Sequence, residues 1–166
     1  MDIRLEALNE THESELLKFE RENRDYFETM VPGRGEDYYL PHVFKERHMA
    51  LLEEQQKGIG YYYLIKTASI IGRINLIVDG TIADLGYRLG EQYTGKGLAT
   101  TALKQLMNEL PPMLNEVHAK TTSTNIGSQK VLERNGFERV AEDEEAFWMN
   151  GEQVHFVYYV WKRGDQ

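Results

Sequence analysis

Residues 92–100 read Gln92-Tyr93-Thr94-Gly95-Lys96-Gly97-Leu98-Ala99-Thr100, a two-glycine run whose spacing suits an anionic phosphate group. A strand-like segment, 81–90, precedes it. Leu98, Ala102, Leu106 and Leu110 then recur at every fourth position, as on one face of a helix. The first turn of a helix has N–H groups without intrahelical partners, and the macrodipole puts positive potential there. Gly95 and Gly97 carry no Cβ, so the chain can turn tightly and a ligand can lie against the backbone. Downstream come Asn125-Ile126-Gly127-Ser128, Val131-Leu132 and Asn135-Gly136-Phe137. Asn125 is placed to cap a helix by accepting the N–H of Ser128. Ser128 would sit in the first turn of that helix, facing the gap between the strands.

The remaining pattern supplies the elements that must hold these groups. Ile3-Arg4-Leu5-Glu6-Ala7-Leu8 alternates as a first strand, and Asn9 or Thr11 caps a helix through about Glu20. Residues 21–37, with Pro32-Gly33-Arg34-Gly35, read as a loop. A second helix runs from near Pro41 to Gln56 and stops at Gly58. Strands at about 59–66, 69–78 and 81–90, separated by Ala68-Ser69 and Asp79-Gly80, predict an antiparallel meander. The helix over 97–110 ends before Pro111-Pro112. Glu116 to Ser123 is then a strand parallel to 81–90, because a helix crossover joins them. Asn125 begins another helix, with Gly136 at its end. Strands at about 137–149 and 153–161 turn at Asn150-Gly151. The order is α+β around one mixed sheet, and 166 residues suit a single domain over 1–166.

The two motifs together resemble the Gcn5-related N-acetyltransferase (GNAT) superfamily. Gln-x-x-Gly-x-Gly at 92–97 looks like its acetyl-CoA pyrophosphate loop. Asn125-x-x-Ser128 with Asn-Gly-Phe at 135–137 looks like its fourth helix and the turn into the sixth strand. Ile71-Gly72, Leu85-Gly86-Tyr87, Glu22-Asn23-Arg24 and Pro32 fit the branch that acetylates N-terminal amines of ribosomal proteins. The resemblance covers nearly the whole chain. It implies a mostly antiparallel, seven-stranded mixed sheet flanked by about four helices, with a splayed parallel pair at the cofactor site. Acetyl-CoA would be the co-substrate. Backbone groups of Tyr87 and Leu89 would hold the pantetheine amides, and N–H groups from Gln92 through Thr94, Gly95, Lys96 and Gly97 to Leu98 the pyrophosphate. Ala99 and Thr100 would lie in the same first turn. Lys96 would add a cation near the phosphates. Asn125 and Ser128 would lie beside the cofactor arm, with Ser128 protonating the leaving thiolate directly or through water.

Some superfamily members place a glutamate on the strand before the Asn motif and a tyrosine on the helix after it. Lys120 and Leu132 stand at those positions here, so that pair is not carried over. Thr101 stands where many ribosomal-branch members have a glutamate. An N-terminal α-amine has a pKa near about 8, against about 10.4 for lysine. It is partly neutral at pH 7 and needs only a modest base, such as an ordered water held by backbone carbonyls and Asn125. Glu22, Asn23, Arg24, Glu28, Asn75 and Asp84 are the candidate acceptor-side residues, with Asp84 a candidate base. The chain has no cysteine to carry an acyl group, so transfer is expected by direct attack in a ternary complex. A protein N-terminus is the first expected acceptor. A small amine (polyamine, amino acid or antibiotic) is the alternative, and a CoA-binding module without turnover the third.

Composition bounds the partners. The net charge of −8 argues against nucleic-acid binding and suits a cationic acceptor such as an amine or a basic tail. No apolar run approaches the roughly 20 residues of a membrane span. Met1-Asp2-Ile3-Arg4-Leu5-Glu6 carries no signal-peptide pattern, and the expectation is cytoplasmic. The five histidines show no metal-ligand spacing, so no metal is expected. The final strand, with Val157, Tyr158 and Val160, could pair across a homodimer or lie inside a monomer.

Overall fold

The computed structural model describes residues 2–164. Met1, Asp165 and Gln166, which the single-domain expectation includes, lie outside the described residues. Strand β1 (Arg4–Ala7) leads to Asn9, whose Oδ1 accepts the Thr11 N–H at 2.8 Å and starts a 3-10 turn. Helices α1 (Glu13–Glu22) and α2 (Arg24–Glu28) follow. Helix α3 (Pro41–Lys57) begins on its proline and stops at Gly58, where φ is 73°. The loop expected over 21–37 is therefore corrected. Its Gly and Pro signals sit only at 32–35, and upstream of them Arg24 Nε meets Glu28 Oε1 at 3.3 Å, one helical turn on.

Strands β2 (Gly60–Lys66), β3 (Ile70–Asp79) and β4 (Ile82–Leu89) form the expected antiparallel meander. Helix α4 (Leu98–Asn108) crosses to β5 (Glu116–Thr122), which is parallel to β4. Helix α5 (Ile126–Arg134) precedes β6 (Glu138–Glu142), β7 (Phe147–Met149), β8 (Glu152–Val154) and β9 (Phe156–Lys162). Among the described residues seven strands make one mixed sheet in the order β1-β2-β3-β4-β5-β9-β6, with five α-helices where about four were expected.

The last two expected strands are each broken in two. Asp143-Glu144-Glu145 is a run of poor strand formers. Asp143 also bends the chain: its carboxylate accepts the Tyr158 hydroxyl at 2.9 Å, and its carbonyl lies 2.9 Å from His155 Nδ1. Beyond the bend β7 and β8 pair with each other as a separate ribbon. Its turn is the expected Asn150-Gly151, with φ of 52° and 80°, a geometry this dipeptide adopts with little strain. Strand β9 lies between β5 and β6, so the segment with Val157, Tyr158 and Val160 is internal to the sheet.

Alternation along the strands fills two cores. In β2, Tyr61, Tyr63 and Ile65 pack with Leu98, Leu103 and Leu106 of α4, whereas Tyr62 and Leu64 pack with Leu16, Phe19 and Phe44 of α1 and α3. The sheet is thus covered on both faces. Its one interruption positions the site. β4 and β5 pair only at Ile82–Glu116, Ala83–Val117 and Asp84–His118. Beyond these pairs β4 continues to Leu89 beside β3, and β5 to Thr122 beside β9. Their facing edges leave backbone donors and acceptors for a ligand.

Candidate active site

The gap between β4 and β5 opens into a cleft of about 980 Å³, large enough for a cofactor and a small acceptor. Strand alternation divides it. Tyr87 and Leu89 face the α4–α5 side, and Gly86 and Arg88 face the α1–α3 side.

On the α4 side the cleft is lined by Thr94, Gly95, Gly97, Leu98, Ala99 and Thr100. Gly95 and Gly97 hold left-handed backbone, with φ of 74° and 77°, and Gly97 caps α4 without a side chain. A Cβ at either glycine would meet nothing within 4 Å, so the loop leaves open space beside the start of α4, whose first-turn N–H groups have no intrahelical partner. Asn135 Nδ2 donates to Thr100 O at 3.3 Å and ties the end of α5 to this turn. Lys130 and Arg134 of α5 accordingly line the cleft, while Gln92 and Lys96 are exposed and lie outside the lining. Sequence reasoning missed both cations; the one available signal was their four-residue spacing on one helix.

Asn125 Oδ1 accepts the Ser128 N–H at 3.1 Å, the expected cap. Ser128 Oγ lies 2.9 Å from Tyr87 Oη. Burial raises the Tyr87 phenol above its ordinary pKa, with the Ser128 hydrogen bond acting in the opposite sense. Tyr87 therefore keeps its proton at neutral pH.

The other side is built from side chains. Glu20 of α1 is fully buried between Arg73 Nη1 of β3, at 2.7 Å, and Arg88 Nη1 of β4, at 3.3 Å. The two arginines are direct cross-strand partners. Tyr38 Oη accepts Arg34 Nη1 at 2.6 Å and Arg73 Nη1 at 3.4 Å. The Arg88 guanidinium lies 4.5 Å from the centre of the Phe27 ring, and Lys120 Nζ lies 4.6 Å from that of Phe156. Asn75 fits here because its partner is Gly86; a Cβ there would come within 2.7 Å of Asn75 Oδ1. The mouth has two apolar walls, Met30, Val31 and Pro32 from one loop and Phe147 and Met149 from the ribbon. Asn150 Nδ2 donates to Thr29 O and joins them.

Of the six expected acceptor residues, Asn75 alone lines the cleft. Asn23 Oδ1 instead accepts the Glu91 N–H at 3.0 Å while its Nδ2 donates to Phe19 O at 3.0 Å, tying the glycine loop to α1. Arg24 is held by Glu28 at 3.3 Å and by Glu36 at 2.7 Å. Glu22 pairs with Lys18 at 3.9 Å on the surface, and Asp84 is exposed on β4. Leu132 is buried in the core. Sequence reasoning also missed Arg73 and Arg88, which had one signal: a charge set inside an apolar strand needs a partner.

The lining carries Arg34, Arg73, Arg88, Lys120, Lys130 and Arg134 and, among the described residues, no Asp or Glu. The net charge of −8 belongs to the outer surface, and the attraction expected for a cationic acceptor does not extend inward. Among the described residues no group of three or more His, Cys, Asp or Glu is placed to hold a metal ion, and no helix is long and apolar enough to cross a membrane.

Comparison with known proteins agrees with this geometry. The family model for the acetyltransferase (GNAT) domain matches residues 3–138. The probable N-acetyltransferase YjcK of Bacillus subtilis (strain 168) is 33% identical over 148 residues, 82% of this chain and 81% of that one. The [ribosomal protein uS5]-alanine N-acetyltransferase of Escherichia coli (strain K12) is 25% identical over 146 residues, 82% of this chain and 75% of its own. The structure of RimL, a ribosomal L7/L12 alpha-N-protein acetyltransferase in complex with coenzyme A, superposes with a TM-score of 0.86 at 20% identity. That match covers 96% of this chain and 93% of RimL.

Proposed function

The chain belongs to the GNAT acetyltransferase family and is an N-acetyltransferase that uses acetyl-CoA, and we propose that its acceptor is the N-terminal α-amine of a protein, a ribosomal protein first among them. The observation that carries this reading is the cationic wall formed by Arg73, Arg88 and Lys120. A positive field disfavours the ammonium form of a nearby amine. An α-amine, at about pKa 8 in water, is then largely neutral at pH 7, whereas a lysine at about 10.4 is not. A polyamine would bring further positive charge against the same wall. The uS5-alanine N-acetyltransferase relative supports a ribosomal protein as acceptor.

Acetyl-CoA supplies the acetyl group as a thioester, whose carbonyl the neutral amine attacks. The inner edges of β4, at Tyr87 and Leu89, would hold the pantetheine amides. The first-turn N–H groups of α4, with Lys130 and Arg134, would hold the phosphates. As the N–C bond forms and the C–S bond breaks, the amine proton passes to water and the sulfur gains negative charge. Ser128 donates a hydrogen bond to that sulfur. Tyr87, still protonated, donates to Ser128 Oγ and fixes which way the serine hydroxyl points. Asn125 sets the backbone that presents Ser128.

The test is release of free CoA in the presence of short peptides with free and with blocked N-termini. Turnover that depends on the peptide sequence and vanishes when the α-amine is blocked supports the reading. Turnover of spermidine or free lysine side chains in its place overturns it.

A further inference from the structure

Three arginines from three separate segments converge on the acceptor side of the cleft. Arg34 and Arg73 share Tyr38 Oη, at 2.6 and 3.4 Å, and Arg73 and Arg88 share Glu20, at 2.7 and 3.3 Å. Among the described residues Glu20 is the one carboxylate in this chain of contacts, so three positive charges face one negative charge. Among the described residues, the side-chain hydrogen bonds of Arg73 and Arg88 use Nη1 alone. The remaining guanidinium nitrogens belong to residues that line the cleft. Burial pulls the Arg88 guanidinium below its ordinary pKa; Glu20 opposes the shift, and Arg34 and Arg73 add to it. Unneutralised positive charge in a partly desolvated site is costly, and an anion placed there relieves it.

The phosphates of the co-substrate are not that anion. Arg88 follows Tyr87 on β4 and so faces the opposite side of the sheet from the glycine loop of α4. The occupant of this side is the acceptor. We propose that the acceptor is an α-amine with a carboxylate close to the reacting nitrogen, and that Arg34 and Arg88 bind the carboxylate in a cradle set by Glu20 and Tyr38. The carboxylate is either an acidic side chain next to a peptide N-terminus or the α-carboxylate of a free amino acid. The first source rests on the protein-acceptor reading above; the second does not.

The experiment measures kcat/KM for peptides identical except for Glu, Gln or Lys at their second residue, and for free alanine against alaninamide. The expected result is about a 10-fold preference for Glu over Gln, with Lys poorer still, as one charge-assisted hydrogen-bond pair supplies. Added salt narrows the preference. Arg34 is exposed, so Arg34→Gln should fold; it is expected to reduce the preference to within twofold while leaving the KM for acetyl-CoA unchanged. Arg88→Gln provides a second variant with the same expected loss. Turnover of alanine but not of alaninamide or any peptide supports the proposal with the α-carboxylate as its source, and refutes a protein acceptor. Equal use of Glu and Gln peptides refutes the proposal and leaves the protein-acceptor reading intact. Turnover of none of the carboxylate-bearing amines refutes it too.

Discussion

The two halves of the cleft are made in different ways. The half proposed to hold the cofactor is backbone: the inner edges of β4 and β5, the left-handed glycines at 95 and 97, and the bare first turn of α4. The half proposed to hold the acceptor is side chain: Glu20, Arg34, Asn75, Arg73, Arg88 and Lys120, drawn from α1, a loop and three strands. A backbone site is local in the chain and tolerates most changes at its side chains. A side-chain site depends on each member, and most of all on the one that neutralises the others. The difference predicts where single substitutions should do harm and of what kind.

The largest effect belongs to the acceptor half. Glu20→Gln removes the carboxylate shared by two part-buried arginines, and the expected loss is about 3–5 kcal/mol of stability. Thermal unfolding should show the midpoint falling by about 10 °C; a fall within error would mean the arginines do not depend on it. Next comes the hydroxyl pair where the halves meet. Ser128→Ala should lower kcat about 100-fold with both KM values little changed. Tyr87→Phe should lower it about 10-fold, and the double variant no further than Ser128→Ala alone, because the tyrosine acts through the serine. Additive losses in steady-state kinetics would separate the two. Smaller again is Gly97→Ala. Left-handed backbone costs an alanine about 1–2 kcal/mol, so the KM for acetyl-CoA should rise about 10-fold while that for the acceptor stays put. The smallest effect is on pH. A peptide α-amine bound beside the cationic wall should give a kcat that rises with pH to a midpoint below about 8, while kcat/KM follows the free amine at about 8. Tyr87 has a raised pKa and is protonated below it, so no decline from loss of its proton should appear before about pH 10. A fall near pH 9 would point to a different acid.

The same contrast explains what the sequence disclosed. The glycine loop, the Asn125 cap and the strand–helix–strand crossover lie within short windows, and their signals are the residues that backbone geometry requires. The meander and the parallel β4–β5 pair were legible for the same reason. The cradle around Glu20 was not. Its members stand 53 and 68 residues apart in the chain, and nothing in either neighbourhood announces the other. Asn23 and Arg24 belong to the right segment of the chain, at the α1–α2 junction, but turn to Glu91 and Glu36. The acidic bend at Asp143 was visible only as a run of weak strand formers. Its hydrogen bonds to Tyr158 and His155 decide that the ribbon leaves the sheet.

The early end of the β4–β5 pairing also governs how the molecule behaves in time. Along these inner edges the fold stops short of closing its own ladder, and in the binding mode proposed above an extended amide-bearing co-substrate would complete it. Amide protons there should exchange quickly with solvent in the free enzyme and become protected when acetyl-CoA is present. Binding to the native state alone would add about 2.7 kcal/mol at a ligand concentration 100 times Kd. The resilience of the protein is thereby coupled to its acetyl donor: supply of the reactant stiffens the catalyst, and depletion leaves it softer and easier for a protease to open.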